Sequence, residues 1–282
     1  MICPKCGYNQ RKKYGFFCGE CRRKFVFDPS SGMTDGRWTA LLKRVDGNGT
    51  YWFTRNQLFM AHTRLVAVGE YYFPLGVGIA LLLVGILGWL LVSGWVGIGL
   101  ELLGFVALAV ALYRATAPPP NDELFNHRLR QWRSKESIPR LISSPGLGKS
   151  PPEWQEPDIY DYGVERIIVV DRDLLVDFLV RNGFHAEQRA LVISQTGYPE
   201  YLLPLTRQLL ADDPDLKVYV LHDASAAGET MARHINSLDI GVLEHQVIDL
   251  GLRRDEALRV GRLRAMRPKQ LRGPIPIDLL HP

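Results

Sequence analysis

Phe73 to Val92 reads FPLGVGIALLLVGILGWLLV, and Trp95 to Tyr113 reads WVGIGLELLGFVALAVALY. The first run carries no charge and the second only Glu101. Each matches the ~20 residues that an α-helix rising ~1.5 Å per residue needs to cross a ~30 Å hydrocarbon layer. Neither shows the polar face that a core helix of a globular domain repeats every three or four positions. The expectation is a transmembrane hairpin over 73–113, with the lipid bilayer as its partner. Only Ser93 and Gly94 separate the runs, so both termini would share one compartment. Arg55 and Arg64 before the first run, and Arg114, Arg128, Arg130 and Arg133 after the second, place both ends in the cytoplasm by the positive-inside bias, at the inner membrane. The many glycines of both runs would let the helices approach closely. Glu101, as an intramembrane carboxylate, is a functional candidate.

The chain has 282 residues and a net charge of +4, and the charge is uneven. Residues 1–70 hold 12 Lys and Arg against five Asp and Glu, whereas the region after the hairpin is slightly acidic. All four cysteines fall in the first 21 residues, a concentration that points to a metal site and away from a disulfide framework. Cys3 and Cys6 lie in CPKCG and Cys18 and Cys21 in CGEC, with eleven residues between the pairs. Two such turns, made possible by Gly7 and Gly19, can set four thiolates around one tetrahedral Zn²⁺. The pattern resembles the zinc ribbons of many nucleic-acid enzymes and small bacterial proteins, over about residues 1–27. Four Cys ligands leave no open coordination position, so the metal would be structural and would replace a core too small to form otherwise. Basic residues interleaved with Tyr14, Phe16, Phe17 and Phe25 suit contact with phosphates and bases, or equally a solvated face over the ribbon's own core.

Residues 28–70 read as a helix–strand–helix module, with a turn at Asp46–Gly49 and a helix capped by Thr54. His62 reads as a surface or interfacial position. The segment 114–157 begins with APPP, which stops a helix; Asn121 to Lys135 follows as a basic amphipathic helix lying near the membrane surface, and SSPGLGKSPP then forms a flexible boundary. GLGK lacks the spacing of a phosphate-binding loop.

From residue 158 to 282 the pattern becomes α/β. VERIIVV (164–170), ALVIS (190–194), KVYVLH (217–222) and EHQVIDL (244–250) are short apolar runs separated by amphipathic helices, which predicts a mainly parallel, buried sheet. Ligands of such sheets sit at the carboxyl ends of the strands, where Asp171, Asp223 and Asp249 fall. Three carboxylates there are what Mg²⁺ requires.

The stretch IIVVDRDLLVDFL, followed by VISQTGYPEYLLPLTRQLL and VYVLHDASAAGETMARHI, resembles a Toprim domain, in particular that of the topoisomerase VI A subunit and its meiotic relatives. The resemblance covers about Val164 to Ile235. In that family the first strand ends in a catalytic Glu, the second in a Gly before a helix, and the third in an Asp-x-Asp that holds Mg²⁺. Asp171 stands for the Glu, and Gly197, Tyr198, Pro199 and Arg207 match the second element. Asp223 matches the first Asp of the third, Ser225 replaces the second, and Gly228 lies where the helix begins. A shortened carboxylate at 171 and a lost charge at 225 weaken the site, although Asp173 and Glu229 stand nearby. The sequence as a whole reads as a membrane-anchored zinc-ribbon protein whose Toprim-like domain binds or scaffolds a protein or nucleic acid without catalysis. The alternative is a Mg²⁺-dependent nuclease or topoisomerase-like enzyme using Asp171 and Asp223 as catalytic residues. The basic tail 252–272 reads as a helix packing Leu252, Ala257, Leu258 and Leu263 on the sheet.

Overall fold

The computed structural model describes residues 1–28, 32–67, 73–91, 94–116, 122–149, 163–259 and 273–279. They fall into two compact units, one built mainly from Met1–Leu41 and Phe59–Glu136, the other mainly from Leu42–Leu58 and the described residues from Ser137 onward.

The first unit begins with the ribbon, two tight turns each flanked by a short antiparallel bridge, Ile2 with Asn9 and Phe17 with Lys24. Its core is only Cys3, Cys18 and Phe25, with Met1 and Cys21 against them. Asp35, fully buried at the start of α1 (Asp35–Val45), accepts hydrogen bonds from the Val26 and Phe27 amides, each at 3.0 Å. Arg23 reaches Asp35 at 3.7 Å and Glu136 at 2.7 Å, tying the ribbon to its surroundings by a shared cation. Beside it Phe27, Trp38, Phe125 and Trp132 pack together with ring centroids 5.5 to 6.4 Å apart, Phe27 and Trp132 stacked and the other pairs tilted. The helix expected to lie on a membrane surface is α5 (Asp122–Arg133), and its apolar side is spent here instead, burying Phe125, Leu129 and Trp132. His62, on α2 (Arg55–Ala67), is not a surface residue. It is wholly buried against Trp38 and Phe125, and its Nε2 lies 2.9 Å from the Arg128 guanidinium. Burial, reinforced by Arg128, lowers the His62 pKa to about 4, so the imidazole is neutral.

The two apolar runs form helices α3 (Phe73–Leu91) and α4 (Gly94–Thr116). A Cβ on Gly78 would come within 2.9 Å of Leu108, and one on Gly104 within 2.9 Å of Leu82, so the helices run antiparallel and meet at glycines. The pairing is as expected, but the assignment to a membrane is not upheld: among the described residues no helix is long and apolar enough to cross a membrane. A crossing needs ~18–20 residues that are helical and apolar together. The transmembrane hairpin and the inner-membrane location are therefore withdrawn, and with them the intramembrane role of Glu101, a half-buried residue of α4.

The second unit holds the predicted parallel sheet, in the order β4-β3-β5-β6, from β3 (Arg166–Val170), β4 (Ala190–Ser194), β5 (Lys217–Leu221) and β6 (Val247–Asp249). Alternation along the central strands feeds two cores. Ile167, Val169, Leu191, Ile193, Val218 and Val220 face one side, where α8 (Leu203–Asp212) and α9 (Ala226–His234) pack; Ile168, Val170 and Val192 face the other, against α6 (Asp173–Arg181). The fourth strand is shorter than expected, because Glu244–Gln246 is a 3-10 turn. A second, two-stranded parallel sheet pairs β1 (Phe53–Thr54) with β2 (Leu141–Ile142). Of the tail only α10 (Arg254–Arg259) and 273–279 are described; Ala257 is buried but Leu258 is exposed. Leu263 and the remaining basic residues of 260–272 lie outside the described residues, as does the linker 150–162.

Candidate metal centre and the acidic edge of the sheet

The ribbon's two turns repeat one hydrogen-bond scheme. Cys3 N–H donates to the Tyr8 carbonyl and Gly7 N–H to the Cys3 carbonyl, both at 2.9 Å; Cys18 N–H donates to Arg23 at 2.9 Å and Arg22 N–H to Cys18 at 3.0 Å. The left-handed residue that closes each turn is the fourth after its first Cys, Gly7 at φ +75° and Arg22 at φ +58°. Gly19, expected to close the second turn, does not; Arg22 does so against the steric preference of a residue with a Cβ. Buried Gln10 joins the two halves, donating to Phe17 O at 2.9 Å and accepting from Gly19 N–H at 2.8 Å.

These turns bring Cys3, Cys6, Cys18 and Cys21 together with all four Sγ atoms within 4.8 Å of one another, and Cys3–Cys21 and Cys6–Cys18 at 3.6 Å. Burial opposes ionisation of Cys3, yet the amides of Cys6 and Lys5 and the adjacent thiols outweigh it and bring that thiol from 9.0 to about 6. The amide of Cys21 leads in lowering Cys18. Against the pull of the Tyr8 amide, burial and the crowding thiols push Cys6 up to about 12. The pocket thus favours thiolate at some positions while leaving the cluster short of positive charge, and four convergent sulfurs could hold a metal ion.

The acidic edge is arranged differently. In a sheet of this order the crevice for a ligand opens between β3 and β5, where successive connections leave in opposite directions. Asp171 directly follows β3 and Asp223 follows β5, and the two touch: Asp223 N–H donates to Asp171 Oδ2 at 2.9 Å. Arg172 lies across them, its Nε 3.4 Å from Asp171 Oδ1 and its Nη2 2.8 Å from Asp223 Oδ1. The same Nη2 is 3.0 Å from Asp278 Oδ1, a third carboxylate supplied by the end of the chain. That segment is held by a bridge between Ala224 and Ile275, by the Ile277 amide donating to Asp223 Oδ1 at 2.7 Å, and by Thr54 Oγ1 donating to Asp278 Oδ2 at 2.6 Å. The carboxylates at the crevice are therefore engaged by the chain's own guanidinium and by the strap of residues 275–278. Burial pushes Asp223 up to about 6 even though Arg172 and the Ile277 amide pull it down; Asp171 and Asp278 add to the rise. Burial disfavours the charge on Arg172, but its three carboxylates outweigh that and raise its pKa.

Asp249 does not join the other two. Its Oδ1 accepts from the Gly251 amide at 2.8 Å and lies 3.1 Å from Nε2 of His222, a buried ring closed in by Gly228 and Gly251. Among the described residues the cysteines are the one group of three or more His, Cys, Asp or Glu placed to share an ion. Ser225, expected to stand in place of a second Asp, accepts the Gly228 amide at 2.9 Å and caps α9. Asp173 is taken by Ser194 and Thr196 hydroxyls, each at 2.6 Å, and Glu229 is exposed on α9. Tyr198 donates to buried Asp177 at 2.6 Å, and Arg207 Nε donates to Asp239 O at 2.8 Å. Sequence reasoning missed Arg172 and Asp278; the only trace of them was a cation between two acids in Asp171-Arg172-Asp173. Comparisons with known protein families, curated proteins and solved structures find no match to this chain.

Proposed function

We propose that this chain is a non-catalytic binding or scaffold protein, made of a zinc ribbon and a Toprim-like α/β unit whose metal crevice is closed, with a protein or a nucleic acid as partner. The supporting observation is the place of Arg172. Mg²⁺ takes hard oxygens in near-octahedral order and keeps several waters, which demands open carboxylate positions and room. Asp171, Asp223 and Asp278 instead converge on one guanidinium beneath a strap, and Asp249 turns to His222. For the ribbon, a tetrahedron of ~2.3 Å Zn–S bonds has edges of about 3.8 Å, and the closest sulfur pairs stand 3.6 Å apart. Four soft thiolates without an open position suit structural Zn²⁺. Exposed Leu83, Leu102, Leu103, Phe105 and Val106 on α3 and α4 add to the binding reading, since clustered apolar surface of this kind marks interaction sites.

The rival reading, a Mg²⁺-dependent enzyme acting on nucleic acid, draws on the direct contact of Asp171 with Asp223. Incubating supercoiled and linear DNA with the folded chain and Mg²⁺ separates the two. Unaltered DNA is the expected result; cleavage or relaxation that vanishes in Asp223→Ala overturns the proposal.

A further inference from the structure

We propose that the second half of the ribbon is a stacking platform for single-stranded nucleic acid, a partner assignment that rests on reading the ribbon as a metal-organised binding module. Folding leaves Tyr14 64%, Phe17 53% and Phe16 46% exposed within four residues of one another, while the ribbon buries Phe25. A segment this short has little apolar surface to spend, and the part of each ring left in water adds nothing to its own stability.

The cations around these rings are also uncommitted. Arg11, Lys13, Arg22 and Lys24 are exposed, and among the described residues none is paired with a carboxylate. Arg23 alone is taken, by Asp35 and Glu136, and it serves the fold. The backbone brings the two kinds of side chain together: Phe17 bridges Lys24, Phe16 O accepts the Phe25 amide at 2.8 Å, and Lys13 Nζ lies 5.4 Å from the Tyr14 ring centre. Glu20 is the one acidic residue in 1–27.

Rings that can stack on any base, set among cations that can neutralise a phosphate backbone, are the two components of sequence-tolerant single-strand binding. Duplex readout requires an α-helix or a two-stranded ribbon inserted in the major groove. The elements beside these rings are a three-residue 3-10 turn, Lys12–Tyr14, and the single antiparallel bridge of Phe17 with Lys24, both too short for that. An acidic peptide would use the cations and leave the rings idle.

The test is fluorescence anisotropy of the zinc-loaded full chain with a labelled twelve-nucleotide oligo-dT and its RNA counterpart. Tyr14→Ala and Phe17→Ala, both at exposed positions, are each expected to weaken binding about tenfold. Lys13→Ala should lower the slope of log affinity against log salt by about 0.7. The proposal is overturned if neither oligonucleotide binds, if duplex competes as well as single strands, if the ring variants bind as the parent does, or if vesicles containing anionic lipid bind while oligonucleotides do not displace them. Measured zinc content keeps the two readings apart: one zinc per chain without oligonucleotide binding defeats this inference and leaves the structural ribbon standing.

Discussion

The ribbon and the acidic edge of the sheet both gather groups that attract cations, and they differ in what those groups have left to bind. The four thiols contact chiefly one another and the surrounding amides, so the cluster lacks a positive charge that an ion would supply. The carboxylates of Asp171, Asp223 and Asp278 already have theirs, in Arg172. Convergence of like-charged ligands is therefore not enough to identify a metal site. The deciding question is whether the chain supplies its own counter-ion.

The sharpest way to break this contrast is to deny the cysteine cluster its proposed ion. Apparent binding energies of structural zinc reach ~10–16 kcal/mol in small domains, and here the core of Cys3, Cys18 and Phe25 is all that would remain. Chelation, or Cys18→Ser, is expected to abolish amide-exchange protection in residues 1–27 while protection of β3, β4 and β5 persists. Simultaneous loss in both units would break the comparison.

Next in size is Arg172→Met. Removing one partner of a buried ion pair costs ~3–5 kcal/mol; with the Arg172 side chain 32% exposed, the effect belongs at the lower end, about 3 kcal/mol, read from the urea midpoint. A variant as stable as the parent would show that the guanidinium is not the counter-ion of this edge.

A pH series refines the same point. The carboxyl of Asp223 rises from an ordinary 3.8 to about 6 on folding, so between these values the folded chain holds a proton that the unfolded chain has released. Its stabilising contribution is complete below about pH 4 and is lost as pH climbs through 6. Asp223→Asn should be less sensitive to pH than the parent across that window in denaturant titrations.

The smallest effect concerns the turn at Arg22, held at φ +58° where its counterpart is Gly7. Arg22→Gly should stabilise the zinc-loaded ribbon by about 0.5–1 kcal/mol, visible as slower metal loss to a chelator.

How much of this was legible in the sequence follows the range of the interactions. The cysteine cluster was readable because each pair is local and its spacing dictates a tight turn. Strands β3, β4 and β5 were readable because apolar runs such as RIIVV and ALVIS leave one conformation that buries both faces. The pairing of α3 with α4 followed from length and glycine content, but hydropathy alone was a poor guide to what surrounds it, and the membrane assignment failed. His62 and α5 were misplaced because the aromatic cluster that buries them is assembled from positions as far apart as Phe27 and Trp132. The closed crevice was least legible of all. Arg172 finds partners 51 and 106 residues away, and no periodic pattern announces that Asp278 returns to β5.

The central claim, that the ribbon takes a metal and the sheet edge supplies its own cation, is tested most directly by calorimetric titration of Mg²⁺ into the zinc-loaded full chain. The account predicts one tightly held zinc per chain and no saturable Mg²⁺ binding at millimolar concentration. One saturable Mg²⁺ site that disappears in Asp223→Asn would contradict it.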